Sequence, residues 1–143
     1  GEAASPLYPG ARAAVLRVGA DASLLLGVAT GKSLRGLKHA LAAHGLEGAF
    51  KTLQTTDGHP SKPHPSMLQA AVADTGAEAR HAVMIGDTTF DMEMARAAGI
   101  SALGVAWGYH EVERLREAGA TAVIERFEDL DAALEAVWAD QAA

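Results

Sequence analysis

Apolar residues in this chain fall into short runs separated by amphipathic stretches, and the alternation predicts its elements. Five runs have the length and character of strands: Leu24–Ala29, Phe50–Gln54, Ala82–Ile85, Ala102–Ala106 and Ala122–Ile124. Around them, apolar positions recur at helical spacing over Gly10–Val18, Lys32–Ala43, Pro65–Asp74, Thr88–Ala98, Glu111–Glu117 and Leu130–Trp138. Phe90, Met94, Ala95 and Ala98 share one predicted face, and Leu130, Leu134, Val137 and Trp138 share another. Gly45, Gly76, Gly99 and Gly119 stand just past predicted helix ends, where a left-handed residue closes the last turn. Strand and helix in strict alternation predict an α/β fold, a Rossmann-like parallel sheet with helices on both faces. Gly1 to Tyr8 reads as a lead-in to the first helix. No linker, repeat or low-complexity segment divides residues 1–143, so a single domain is expected.

Composition adds mainly exclusions. With 49% hydrophobic and 21% charged residues, the chain can build a real core. The net charge is −6 and no basic stripe is available to neutralise phosphates, so nucleic acid is not an expected partner. The absence of cysteine removes disulfides, thiolate metal sites and cysteine nucleophiles. No apolar run approaches the length of a membrane span and no signal peptide opens the chain, so a soluble cytoplasmic protein is expected, with no membrane partner.

Candidate chemistry concentrates at predicted strand ends. Ala82-Val83-Met84-Ile85 reads as a strand buried on both faces; it runs into Gly86-Asp87, and Asp91 follows four residues later near the start of a helix. In open α/β sheets the carboxyl edge of the strands is where ligands bind. Two carboxylates brought together there repel unless a positive group, such as a divalent cation, lies between them. The competing reading is that Asp87 caps the helix and Asp91 favours its positive end.

Three other segments bear on this. Leu24 to Ala29 leads into Thr30-Gly31-Lys32-Ser33, where free N–H groups at a helix start and the Thr30 hydroxyl could hold a phosphate, or where Thr30 or Ser33 simply caps a turn. In His59-Pro60-Ser61-Lys62-Pro63-His64-Pro65, prolines fix an extended loop that can aim one ammonium at an anionic site, or leave a solvated lysine in a turn. Gly104-Val105-Ala106-Trp107-Gly108-Tyr109-His110 ends a strand with aromatics whose expected role is packing over a loop. The six histidines show no metal-ligand spacing and read as surface or loop residues.

Taken in order, Thr30-Gly31, then Lys62-Pro63 with Pro65, then Gly86-Asp87 with Asp91 resemble the second, third and fourth motifs of the haloacid dehalogenase superfamily. Pro9-Gly10-Ala11, Ala95 to Gly99 and Gly104 to Gly108 resemble its phosphoglycolate-phosphatase-like branch. The resemblance implies a Mg²⁺-dependent phosphatase of a small phosphorylated metabolite. By resemblance, Asp87 would bind Mg²⁺ directly and Asp91 directly or through water. Lys62 would neutralise the phosphate and the nucleophile. The Thr30 hydroxyl and the Gly31 N–H would hold phosphate oxygens. These roles amount to charge stabilisation around a transferring phosphoryl group.

The superfamily's first motif, an Asp-x-Asp pair ending the first strand, is absent. Asp129-Leu130-Asp131 has the spacing but opens the last helix; Asp21 lies at the wrong end of its strand; Asp57-Gly58 has no matching surroundings. The expectation is a partial core domain that lacks the first strand and the inserted helical cap, as the C-terminal portion of a longer enzyme would. In the superfamily's sheet that strand lies between those ending at Thr30 and Asp87. Its absence predicts unpaired edges, or pairing of those two strands with each other, and completion by a missing N-terminal segment or a second chain. Without the carboxylate nucleophile no aspartyl-phosphate can form, so the chain alone is expected to be inactive. Two competing readings are a receiver-like regulatory module, which would also need an absent acidic pair, and a non-catalytic remnant that binds a partner.

Overall fold

A computed structural model of the protein describes residues 8–107 and 111–142. Every strand and helix predicted from the hydrophobic pattern is present. In chain order they are α1 (Ala11–Gly19), β1 (Gly27–Ala29), α2 (Leu34–Ala43), β2 (Thr52–Gln54), α3 (Ser66–Thr75), β3 (Val83–Gly86) and α4 (Thr89–Ala98). Then follow β4 (Ser101–Val105), α5 (Glu111–Ala118), β5 (Ala122–Ile124) and α6 (Leu130–Ala142). Short 3₁₀ turns at Ala79–His81 and Phe127–Asp129 were not signalled by the pattern. The four glycines expected at helix ends all have positive φ, which only the lack of a Cβ makes inexpensive.

All strand pairing is parallel, but it falls into two separate sheets. β1 pairs with β2, with Gly27 opposite Thr52 and Ala29 opposite Gln54. β3, β4 and β5 form the second sheet in that order, with Val83 opposite Ser101 and Leu103 opposite Ala122. β1 and β3 do not pair with each other, so among the described residues each has one edge that no strand pairs with. Residues 8–20 contribute α1 and no strand; residues 1–7 lie outside the described part.

Two expectations about burial are corrected here. β3 is half-buried along its whole length rather than covered on all sides, because among the described strands only β4 pairs with it. β4, flanked by two strands, is buried at four of its five positions. β1 is confined to three residues; Leu24 to Leu26 do not join the strand, and Leu25 is exposed.

Helices cover both faces of the three-stranded sheet, as alternation requires. On one face Leu103 and Val105 pack with Ala14 of α1 and with Leu130 and Leu134 of α6. On the other, Ala102 meets Met67 and Leu68 of α3, Met92, Met94 and Ala95 of α4, and Leu115 of α5. Met67, Met92 and Met94 are fully buried, and each such side chain contributes about 1.5–3 kcal/mol of burial. Phe90 is a third correction: it is 55% exposed, although the pattern placed it on the core face of α4. The helix is turned so that Asp91 and Met92 point inward with Met94 and Ala95, which leaves Phe90 outside. No helix among the described residues is long and apolar enough to cross a membrane.

Candidate functional site

The loop between β2 and α3 and the N-terminus of α4 meet in one part-buried ion pair. Lys62 Nζ donates to Asp91 Oδ1 at 2.6 Å, with side-chain exposures of 23% and 4%. The other Asp91 oxygen accepts from the Thr88 N–H at 3.2 Å and the Thr88 hydroxyl at 2.9 Å. The Asp91 N–H donates to Thr88 Oγ1 in return, completing a capping box. Both oxygens of a buried carboxylate are thereby satisfied, which offsets the desolvation of its charge. Gly86 makes the arrangement possible: a Cβ there would lie 2.6 Å from Asp91 Cγ.

Asp87 follows β3 directly and is half-buried. It does not cap α4; Thr88 is the N-cap. Its negative charge is the main reason that the Tyr8 phenol sits above its usual pKa, with burial and Glu111 acting in the same direction. Tyr8 stacks on Trp107 with ring centroids 4.1 Å apart, and Trp107 packs on Phe127 at 5.5 Å, so Trp107 has the packing role expected of that segment. Gly108, Tyr109 and His110 of that segment lie outside the described residues. Glu111 accepts the Trp107 N–H at 2.9 Å. Beside Asp87 lies a cleft of about 240 Å³ whose walls include Thr89, Phe90, Glu111 and Arg114.

The Thr30 end is built differently. The Thr30 N–H continues the ladder to the Gln54 carbonyl at 3.0 Å, and its hydroxyl accepts the Lys32 N–H at 3.2 Å. At the start of α2, Ser33 accepts the Gly36 N–H at 3.1 Å and Asp57 accepts the Leu34 N–H at 2.7 Å. The helix start expected to offer several free donors therefore has two of them taken by the protein's own side chains. None of these bonds uses the Gly31 N–H. Among the described residues, Thr30 and Gly31 make no hydrogen bond to Lys62, Asp87 or Asp91.

The structure thus joins Lys62 to Asp91, sets Asp87 at the adjoining strand end, and keeps Thr30-Gly31 on the other sheet. Among the described residues no three acidic or histidine side chains group as metal ligands. The sequence pattern missed Tyr8, Glu111 and the polar cluster around His59; the two polar residues Thr52 and Gln54, at alternate positions of the short β2, were the available signal.

The sequence model of the haloacid dehalogenase-like hydrolases matches residues 3–105. The chain belongs to that family. A protein of Dickeya dadantii named "Probable phosphatase IndB" is 39% identical over 114 residues, covering 78% of this chain and 49% of that protein. The phosphoglycolate phosphatase of Haemophilus influenzae is 30% identical over 127 residues, 88% of this chain and 56% of that protein. A hydrolase from Pseudomonas syringae of known structure matches with a TM-score of 0.77 and 29% identity, over 90% of this chain and 59% of the other. The chain spans about half the length of the curated relatives it matches. These matches fit the α/β architecture above and the phosphoglycolate-phosphatase-like resemblance of the sequence.

Proposed function

We propose that this chain carries the charge-stabilising part of a Mg²⁺-dependent phosphomonoesterase that acts on a small phosphorylated metabolite. The observation that supports it best is the Lys62–Asp91 pair at the carboxyl end of the β3 sheet. The pair supports this reading because it joins a lysine in a proline-rich loop to a buried carboxylate at a strand's carboxyl end, where ligands bind in such sheets. In this reading Lys62 attracts the phosphoryl oxygens, and Asp91 holds the lysine in place. The Thr30 hydroxyl and Gly31 N–H bind further phosphate oxygens from the neighbouring sheet.

For Mg²⁺, the donor chemistry fits but the donor number falls short. The ion takes near-octahedral oxygen ligands. Asp87 supplies one carboxylate and would hold it directly. Asp91, with both oxygens engaged, would reach it through water. When bound, the ion would neutralise charge on the phosphoryl group. A further carboxylate, which would also serve as nucleophile and form the aspartyl-phosphate, has to come from a strand set between β1 and β3. An additional N-terminal segment or a second chain would supply it.

The test is hydrolysis of p-nitrophenyl phosphate with Mg²⁺, by residues 1–143 alone and by the product of any longer reading frame that contains them. The expected result is silence from the first and turnover by the second that disappears in Lys62→Met and Asp87→Asn. Robust turnover by the 143-residue chain that vanishes in Asp87→Asn would overturn the incomplete-site reading. A longer product whose turnover survives both substitutions would overturn the assigned roles.

A further inference from the structure

Behind the Lys62 loop lies a chain of hydrogen bonds that nothing above assigns to the site. His59 Nε2 meets Gln54 Oε1 at 2.7 Å, and His59 Nδ1 meets Ser66 Oγ at 2.6 Å. The Gln54 amide nitrogen donates to Thr52 Oγ1 and to Asp74 Oδ2, both at 2.8 Å, and the Thr52 hydroxyl donates to the same Asp74 oxygen at 2.8 Å. Thr52 and Gln54 are both buried, so these groups have little water to turn to.

The polarity of this chain can be read from its far end. A carboxylate only accepts, so Asp74 requires the NH₂ side of the Gln54 amide. The amide oxygen must then face His59, and because it also only accepts, His59 Nε2 must carry a hydrogen. In the neutral ring Nδ1 is left bare and receives the Ser66 hydroxyl hydrogen. Asp74 therefore selects the His59 tautomer through an intervening amide, as carboxylates select the tautomers of ligating and catalytic histidines.

The ring spans the two ends of the loop that carries Lys62. Gln54 is the last residue of β2, and Ser66 is the first of α3. Within the loop, the His64 N–H bonds the Ser61 carbonyl at 3.1 Å, and the Ser66 N–H bonds His64 Nδ1 at 3.1 Å. We infer that His59, held as the Nε2–H tautomer by Gln54 and Asp74, is the positioning residue that keeps the Lys62 loop closed and its ammonium on Asp91. Its catalytic meaning rests on the phosphate-site reading of Lys62, but its effect on Lys62 can be measured without any activity.

Two measurements on the 143-residue chain test the inference. Long-range ¹H–¹⁵N NMR of the neutral His59 ring should show hydrogen on Nε2 and none on Nδ1; the opposite tautomer overturns it. Amine-specific labelling of Lys62, read by peptide mass spectrometry, should run about tenfold faster in His59→Ala as the loop opens locally. His59→Gln, whose amide can donate to Gln54 and accept from Ser66, should return the rate to its original value. Unchanged Lys62 labelling in folded His59→Ala, or failure of His59→Gln to restore it, overturns the positioning role. If His59→Ala does not fold, the tautomer measurement on the unmodified chain still decides.

Discussion

Two helices of this molecule start at the carboxyl ends of parallel strands, and each starts on a carboxylate taken from a different context. At α2 the carboxylate is Asp57, exposed and reaching in from the loop after β2 to accept the Leu34 N–H. At α4 it is Asp91, 3% exposed, bonded back to Thr88 and clamped by Lys62 from 29 residues away. Capping alone explains the first, since an exposed acceptor at a helix start satisfies orphan donors and the positive end of the dipole. It does not explain the second, because a cap requires neither burial nor a lysine. The difference separates a structural carboxylate from one that also organises charge.

Substitutions can sharpen that contrast. The largest effect is expected from Lys62→Met, which strands a buried carboxylate without its cation. Stability measured by urea unfolding should fall by about 2–3 kcal/mol, the lower side of what breaking a buried pair costs because Lys62 is partly exposed. Gly86→Ala comes next. The new methyl group would collide with Asp91 and push it off Lys62, at about 2 kcal/mol by the same measurement. Asp57→Ala removes only a cap, and about 1 kcal/mol is expected. The smallest change belongs to Gly31→Ala, where a Cβ would meet nothing within 4 Å. A shift within about 0.5 kcal/mol is expected there. An Asp57→Ala loss as large as that of Lys62→Met would erase the distinction between the two helix starts.

The same pair of sites shows how far sequence reasoning carries. Periodicity located every strand and α-helix above because helix and strand periods are local properties of the chain. Prolines around Lys62 marked its loop, and the Gly86-Asp87 step marked the strand end. What pattern could not supply was rotation and partnership. Phe90 has the right spacing for the core, yet α4 turns it outward, because Met92, Met94 and Ala95 share the buried face with Asp91. The His59 cluster was equally hidden, because its members come from β2, a loop and α3, and meet only after folding. Separation of β1 from β3 among the described residues was legible for another reason: the resemblance set a further strand, ending in an Asp-x-Asp pair, between those two, and no strand run in the sequence ends in that pair.

A double-mutant cycle joining Lys62→Met and Asp91→Asn, followed by urea unfolding, tests most directly that these two side chains form one charge unit. The expected coupling is about 2 kcal/mol, as for contacting members of a buried pair. A coupling of about 0.5 kcal/mol or less, the range of exposed surface pairs, would contradict it and reduce Asp91 to the kind of cap that Asp57 provides.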